Sequence, residues 1–312
     1  MPTRVAYDPE TLAPEPRAAF LSDDAMEILH FTVQSLDEGY RTALITLVEI
    51  RGGAARAIGA QMSVREDGLY CGFVSGGCTE AAVTAEAVIA LRKGMDRSLR
   101  LGEGSPFFDI VLPCGGGITL TIHIVRDATV LRRALAALRK RSPVRLRYHA
   151  DTQALTFETG EGMSRWEGDC FVRAYRPRQR LLVAGTAMET AAVVRVASAS
   201  GYEVLTIERG QTPSQDLLDS DTAVALLFHD IDRELDLLEC ALLARPFYIG
   251  ALGSRRTHAK RCAALLQRGH GEAEIARIKA PIGIFDKARD SNSLALSIVA
   301  DISRSRLIDE PA

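Results

Sequence analysis

Apolar residues recur at two spacings along the first third of the chain. Over residues 23–38 they return every three or four positions, which predicts an amphipathic helix. Residues 42–50 are almost wholly apolar, which is typical of a buried strand. Residues 81–93 are rich in Ala, Val and Leu and predict a second helix.

From residue 180 onward, strand and helix patterns alternate. Short apolar runs that predict strands are separated by longer segments that predict helices; the runs lie at residues 181–184, 202–207, 222–228 and 247–250. This alternation predicts a parallel, doubly wound sheet, whose ligands bind beyond the carboxyl ends of the strands.

The change of pattern divides the chain of 312 residues, which is longer than one typical core supports. Residues 1–22 carry prolines and acidic residues and are predicted to form a flexible tail. Residues 23–172 are predicted to form the first domain, residues 173–179 a polar linker, and residues 180–312 the doubly wound domain. The expected fold class is α/β.

The composition is that of an ordinary globular protein, with 47% hydrophobic and 25% charged residues. The net charge of −2 gives no reason to expect nucleic acid or an anionic membrane surface as a partner. No segment approaches the roughly 20 apolar residues of a membrane span, and the N-terminus lacks the apolar run of a secretory signal. We therefore expect a cytoplasmic protein. The six cysteines are scattered without a CxxC pair, which argues against a disulfide scaffold or a structural zinc site.

A glycine-rich turn precedes the second predicted helix. Its residues Ser75, Gly76, Gly77 and Cys78 lie where backbone N–H groups lack intrahelical partners. A helix N-terminus attracts anions and lowers the pKa of a thiol, and glycine lets the backbone approach a ligand closely. Cys78 is thus a candidate thiolate beside an anion site. The alternative is that Cys78 is a small buried residue after a tight turn.

Two further segments of the same half carry candidate binding residues. Cys114, Gly115 and Gly116 form a second glycine loop, directly ahead of a strand predicted over residues 118–125. Arg56 lies in a long loop after the first strand and offers a positive charge.

The doubly wound half begins with an incomplete dinucleotide-binding motif. Gly185 follows the first strand, and Glu208 ends the second, about where an acidic residue meets a ribose hydroxyl in Rossmann domains. The other glycine positions of the motif hold Ala187 and Thr190. The motif therefore gives only weak support for bound NAD(P).

A later strand-to-helix turn carries Gly250, Gly253, Ser254 and Arg255. Free N–H groups, a hydroxyl and a guanidinium at this turn could hold a phosphate group. The alternative is that Ser254 is an ordinary N-cap and that the arginine is simply exposed.

The combination of motifs resembles the xanthine dehydrogenase accessory (XdhC/CoxI) proteins. The likeness spans about residues 25–305 and rests on the runs CGFVSGGCTEAA, PCGGG, FHDIDRELDLLECAL, YIGALGSRR, APIGI and LALSIVADI. It implies an N-terminal α+β domain of XdhC/CoxI type and a C-terminal Rossmann-like domain. Cys78 and Cys114 match the cysteine positions of the family's two motifs.

The resemblance implies a chaperone for molybdenum cofactor rather than an enzyme. Such a protein binds the cofactor, protects its sulfurated form and inserts it into a molybdenum hydroxylase of the xanthine dehydrogenase or carbon monoxide dehydrogenase type. A homodimer is implied too, with a cysteine desulfurase as a further candidate partner. Cys78 and Cys114 are the candidate metal ligands, because thiolates suit a soft metal.

Three segments depart from the family pattern. The family's Gly-Ser-Ser-Pro-Arg loop corresponds to residues 52–56, its Gly-Ala-Gly-His motif to residues 185–188, and its glycine-rich continuation after Gly283 to residues 285–290. Two of the three lie in the doubly wound half, which weakens the support for nucleotide binding more than that for cofactor carriage.

Two alternative functions remain open from the sequence. One is an NAD(P)-dependent oxidoreductase that uses His229 or Asp230 as acid or base. The other is a ligand-free adaptor between a sulfurase and its client enzyme.

Overall fold

A computed structural model describes residues 14–103, 115–208, 211 and 213–309. The chain divides into two compact units, residues 1–177 and 178–312. Each unit contains its own clusters of buried apolar side chains. In the described residues, no helix has both the length and the apolar character that crossing a membrane requires.

The N-terminal unit is built on a six-stranded mixed sheet. Its strands are β1 (Arg17–Phe20), β2 (Thr42–Arg51), β3 (Gln61–Arg65), β4 (Leu69–Gly72), β5 (Arg97–Gly102) and β6 (Gly117–Val125), which lie in the order β1-β4-β3-β2-β6-β5. Helix α2 (Glu80–Lys93) covers one face, whereas α1 (Ala25–Asp37) and α3 (Thr129–Arg139) cover the other. Successive side chains of β2 point to opposite faces of the sheet. Ile45 therefore packs with α2, and Leu44 packs with α1 and α3.

A smaller antiparallel sheet completes this unit. Its strands are β7 (Val144–His149), β8 (Ala154–Thr159), β9 (Arg165–Glu167) and β10 (Cys170–Tyr175), in the order β8-β7-β10-β9. Leu146 of β7 packs into the cluster formed by α1 and α3. Arg145, Arg147 and His149 alternate with the buried residues of β7 and lie on its opposite, partly exposed face.

Two boundaries of the unit differ from those that the sequence predicts. Strand β1 lies within residues 1–22, the predicted tail; it pairs with β4 through backbone groups while its side chains stay exposed, so no apolar pattern marks it. Strand β10 runs three residues into the predicted linker 173–179. The buried Tyr175 anchors it there by donating a hydrogen bond to Gln61 Oε1 over 2.8 Å.

The C-terminal unit is a five-stranded, wholly parallel sheet. Its strands are β11 (Arg180–Gly185), β12 (Glu203–Thr206), β13 (Thr222–Leu227), β14 (Tyr248–Ala251) and β15 (Ile278–Lys279), in the order β12-β11-β13-β14-β15. One face is covered by α4 (Ala187–Ala199) and α8 (Ser291–Asp309), and the other by α5 (Leu235–Ala244), α6 (Arg255–Gln267) and α7 (Glu272–Ile275). The predicted doubly wound sheet is confirmed.

Candidate functional site

The first residue of α2 is a buried carboxylate. Glu80 is only 1% exposed. Its oxygens accept hydrogen bonds from the backbone N–H groups of Val74 (3.2 Å), Ser75 (2.8 Å) and Thr79 (3.2 Å). The Ser75 hydroxyl also donates to this carboxylate, 2.8 Å from Oε2. The protein's own carboxylate therefore closes the turn of residues 74–79 and balances the positive end of α2.

The tip of the same turn faces solvent. Gly76, Gly77 and Cys78 are exposed, and Gly77 has a φ of +101°, a conformation that favours glycine. Within the described residues, the backbone N–H groups of these three have no hydrogen-bond partner. The tip therefore presents N–H donors that a ligand can use.

The Cys78 thiol is linked to the buried carboxylate through Ser75. Its sulfur lies 3.7 Å from Ser75 Oγ. The single hydroxyl proton of Ser75 goes to Glu80, so the serine oxygen can only accept a hydrogen bond from the Cys78 S–H. Cys78 is exposed, and the alternative interpretation of a small buried residue is therefore wrong.

The loop after β2 lies against both glycine turns. A methyl group on Gly116 would lie 2.4 Å from the carbonyl oxygen of Gly53, and one on Gly52 would lie 3.4 Å from Gly116 Cα. A methyl group on Gly76 would lie 3.5 Å from the Cβ atom of Ala55. The structure thus brings three segments predicted from the sequence together in the N-terminal unit: the loop after β2, the glycine turn before α2 and the glycine loop before β6. The backbone of residues 52–53 is in direct contact with Gly116, with no side chain between them.

Arg56 tethers these segments. Its Nε donates to the carbonyl oxygen of Ser75 over 3.3 Å, and its Nη1 forms a 2.7 Å ion pair with Asp23. The Asp23 side chain is 69% exposed, and such surface ion pairs contribute only about 0–1 kcal/mol. The guanidinium can therefore exchange Asp23 for an anionic ligand at little cost.

The second candidate cysteine, Cys114, lies outside the described residues. Its neighbour Gly115 is exposed and has a φ of +71°. The described part of the chain contains no group of three His, Cys, Asp or Glu side chains that could hold a metal ion.

In the C-terminal unit, a second internal carboxylate occupies a helix N-terminus. Glu189 lies in the first turn of α4 and accepts a hydrogen bond from the Thr186 hydroxyl, which lowers the pKa of this carboxyl. A Rossmann domain places the dinucleotide pyrophosphate at this helix end. Gly185 serves packing, since a methyl group there would lie 2.5 Å from the carbonyl oxygen of Leu227.

The other residues predicted at this edge make local contacts. Glu208 is exposed and accepts from the Gln211 side chain over 3.4 Å. His229 lies 4.0 Å from Glu189, and Asp230 caps a short 3₁₀ turn by accepting from the N–H of Asp232. These contacts give no indication of an acid or base aimed at a substrate.

The turn after β14 follows the simpler of its two interpretations. Gly250 is packed inside the sheet, where a methyl group would lie 2.6 Å from Ile282. Ser254 Oγ accepts from the N–H of Thr257 over 3.2 Å and is the N-cap of α6. Gly253 has a φ of +124°, and Arg255 is exposed. The serine hydroxyl is thus engaged by the helix itself.

Comparison with known proteins decides the family. Residues 35–102 match the XdhC and CoxI family, and residues 181–302 match the XdhC Rossmann domain. The chain is 49% identical over 95% of its length to the molybdenum cofactor insertion chaperone PaoD of Escherichia coli (strain K12), of which it covers 93%. The chain belongs to the XdhC and CoxI family.

Two further matches are more distant. The uncharacterized protein YqeB of Escherichia coli (strain K12) is 26% identical over 83% of this chain and 42% of its own length. A crystal structure described as a xanthine dehydrogenase from Bacillus halodurans matches with a TM-score of 0.70, covering 92% of this chain and 97% of that one at 20% identity. At that identity the match shows a shared fold.

Two carboxylates in the first turns of α2 and α4 were not predicted from the sequence to take part in either site. Glu80 and Glu189 both stand in a first helical turn, where acidic residues are common and usually exposed. Glu80 is buried because the preceding turn folds back over it, whereas Glu189 stays half-buried. For Glu80 a signal was present, because a Ser-x-x-x-x-Glu spacing across a glycine turn allows a serine-to-carboxylate hydrogen bond.

The contact between the XdhC glycine loops makes a testable prediction. We expect Gly116→Ala to lower the free energy of unfolding by about 1–3 kcal/mol, because the methyl group meets backbone carbonyls that cannot move aside. Gly76→Ala is the matched control and should change stability by less than about 0.5 kcal/mol. Urea unfolding of both variants measures the difference, and equal stabilities would contradict the close approach of the loops.

Proposed function

We propose that this protein carries molybdenum cofactor and inserts it into a client enzyme. The observation that carries the proposal is the 49% identity to a molybdenum cofactor insertion chaperone over nearly the whole chain. The three converging segments of the N-terminal unit are the proposed cofactor site. They combine exposed N–H donors, a guanidinium and an exposed thiol on adjoining loops.

Each part of the site suits one part of the ligand. Backbone N–H groups and a guanidinium bind phosphate, so Gly76, Gly77 and Arg56 suit the phosphate of the pterin. A thiol suits a soft metal, so Cys78 is a proposed contact to molybdenum. Cys114, which directly precedes Gly115 in the sequence, is the second proposed contact. The carrier would shield the metal from water and oxidants until transfer.

The finer features of the proposal follow from the family. The client is proposed to be a molybdenum hydroxylase of the xanthine dehydrogenase or carbon monoxide dehydrogenase type, and the cargo to be the sulfurated cofactor. A homodimer, a cytoplasmic location and contact with a cysteine desulfurase belong to the same proposal. The doubly wound unit is proposed to act without NAD(P), because the Glu189 carboxylate places a negative charge in the first turn of α4, close to where a pyrophosphate would bind.

Cofactor content tests the proposal directly. The protein is purified without oxygen from a bacterium that makes the cofactor, and molybdenum and released pterin are measured. We expect near-stoichiometric amounts of both in the wild type and a clear loss in Cys78→Ser or Cys114→Ser. Cys240→Ser is the matched control and should retain the wild-type content.

One outcome would contradict the carrier function, and another would contradict only the role of the thiols. Wild-type protein without molybdenum or pterin, from a host shown to make the cofactor, would exclude a carrier. Full retention in both Cys78→Ser and Cys114→Ser would remove the thiols from the site while leaving the carrier function intact.

A further inference from the structure

A cysteine and a histidine meet on the partly exposed face of the small sheet. The register of β7 and β10 places Cys170 directly opposite His149. The Cys170 sulfur lies 2.9 Å from His149 Nδ1, and His149 Nε2 lies 3.3 Å from the Thr156 hydroxyl oxygen. Cys170 and His149 are half-buried, and Thr156 is exposed. Small solutes can therefore reach this group of three side chains.

The hydrogen bonds of the group are compatible with a thiol held beside a base. A neutral imidazole donates from one nitrogen and accepts at the other. If the Cys170 S–H donates to Nδ1, the proton on Nε2 is directed at the Thr156 oxygen, which holds the ring in place. A nucleophile, a base within hydrogen-bond reach and a third group that orients the base are the constellation of an activated thiol.

The same face carries a surplus of positive charge. Glu167 accepts from Arg145, Arg147 and Arg165, and Glu158 accepts from Arg147. Three guanidinium groups thus face two carboxylates. Positive charge on this face attracts anionic reactants.

We propose that Cys170 is a reactive thiol that exchanges with small anionic disulfides, with His149 as its general base. His149 takes the thiol proton, and the Cys170 sulfur attacks one sulfur of the disulfide. A bond forms between Cys170 and that sulfur, the original S–S bond breaks, and the departing thiolate takes the proton back from His149. Cys170 is oxidised to a mixed disulfide, and one thiol of the reactant is released in reduced form. This activity is independent of the proposed cofactor site.

The test uses the full chain and oxidised glutathione as the probe. The reaction is sampled at neutral pH, and peptide mass spectrometry follows the modification of each cysteine. Cys262 is the internal comparison, because its sulfur also has a histidine neighbour but lies 3.6 Å from His258 Nε2 and 3.9 Å from Nδ1. Cys71 reports on the fold, since burial raises the pKa of this thiol to about 12 and keeps it from reacting.

We expect Cys170 to react faster than Cys262 and His149→Gln to slow Cys170 about a hundred-fold. Thr156→Val should slow it less, and Thr156→Ser should restore the wild-type rate. Equal rates at Cys170 and Cys262, or an unchanged Cys170 rate in His149→Gln, would overturn the proposal. If Cys71 becomes reactive in His149→Gln, that variant has disturbed the fold, and Thr156→Val and Thr156→Ser provide the test instead. Equal rates of Cys170 modification in these two variants would then overturn the proposal.

Discussion

Replacing Glu80 by alanine is expected to lower the free energy of unfolding of the N-terminal unit by about 3 kcal/mol or more. The variant leaves three buried backbone N–H groups and the Ser75 hydroxyl without their acceptor. Each buried donor that loses its partner costs about 1–3 kcal/mol, less what water recovers. Urea unfolding followed by circular dichroism measures the loss.

Two further variants make the Glu80 prediction specific. Glu80→Gln keeps one acceptor oxygen and should lose less than Glu80→Ala. Glu27→Ala removes an exposed glutamate from the first turn of α1 and tests the helix-dipole contribution alone, expected at about 0.3–1 kcal/mol. If Glu80→Ala cost no more than Glu27→Ala, the buried carboxylate would not hold the turn together.

Replacing Arg261 by leucine is expected to destabilise the C-terminal unit by about 3–5 kcal/mol at neutral pH. Arg261 and Glu234 are 0% and 1% exposed, with 2.5 Å between Arg261 Nε and Glu234 Oε1. The guanidinium also donates to the carbonyl oxygen of Leu252 over 2.8 Å. Without it, Glu234 would be a buried charge with no counter-ion.

The loss of stability in Arg261→Leu should depend on pH. Burial raises the pKa of Glu234 even with Arg261 beside it, and the pair interaction only partly opposes this. Without Arg261 the pKa of Glu234 must rise further. A carboxyl whose pKa is higher in the folded than in the unfolded state contributes stability at low pH and loses it as the pH rises. The difference in the free energy of unfolding between the wild type and Arg261→Leu should therefore become smaller from neutral towards acidic pH.

Urea unfolding at a series of pH values tests this dependence. The double variant Arg261→Leu/Glu234→Leu removes the unpaired charge and should recover much of the stability at neutral pH. Arg268→Leu breaks an exposed ion pair with Asp236 and should cost less than about 1 kcal/mol at any pH. A gap between Arg261→Leu and wild type that stays constant with pH would contradict an ionised, buried Glu234.

The regular elements with a strong pattern could be predicted from the sequence. The mostly buried strand β2 follows from its apolar run, helix α2 from its Ala, Val and Leu content, and the doubly wound half from its alternation of strand and helix patterns. Strand β1 and the two-residue β15 could not be predicted, because they pair through backbone groups and their side chains form no hydrophobic pattern. An element with exposed side chains, or with only two residues, cannot be found from periodicity.

The candidate site was predicted only in part. The glycine turns follow from local sequence, whereas the exposure of Cys78 was left open and the contact of Gly116 with Gly53 requires the pairing of β2 with β6. Cys170 and His149 are 21 residues apart and meet only through the register of β7 and β10. Such pairs depend on long-range register, which one sequence does not specify.

The carboxylate at the start of α2 also decides which anions this end of the protein can take up. An open helix N-terminus binds inorganic phosphate or sulfate readily. Glu80 is part of the chain, so its effective concentration at the turn exceeds that of any free ion. Free anions are therefore excluded from the buried amides, and only the three outward N–H groups remain for an incoming molecule. A ligand that offers only a phosphate is expected to use these N–H groups and the Arg56 guanidinium, whereas one that also engages the thiol is expected to bind more tightly.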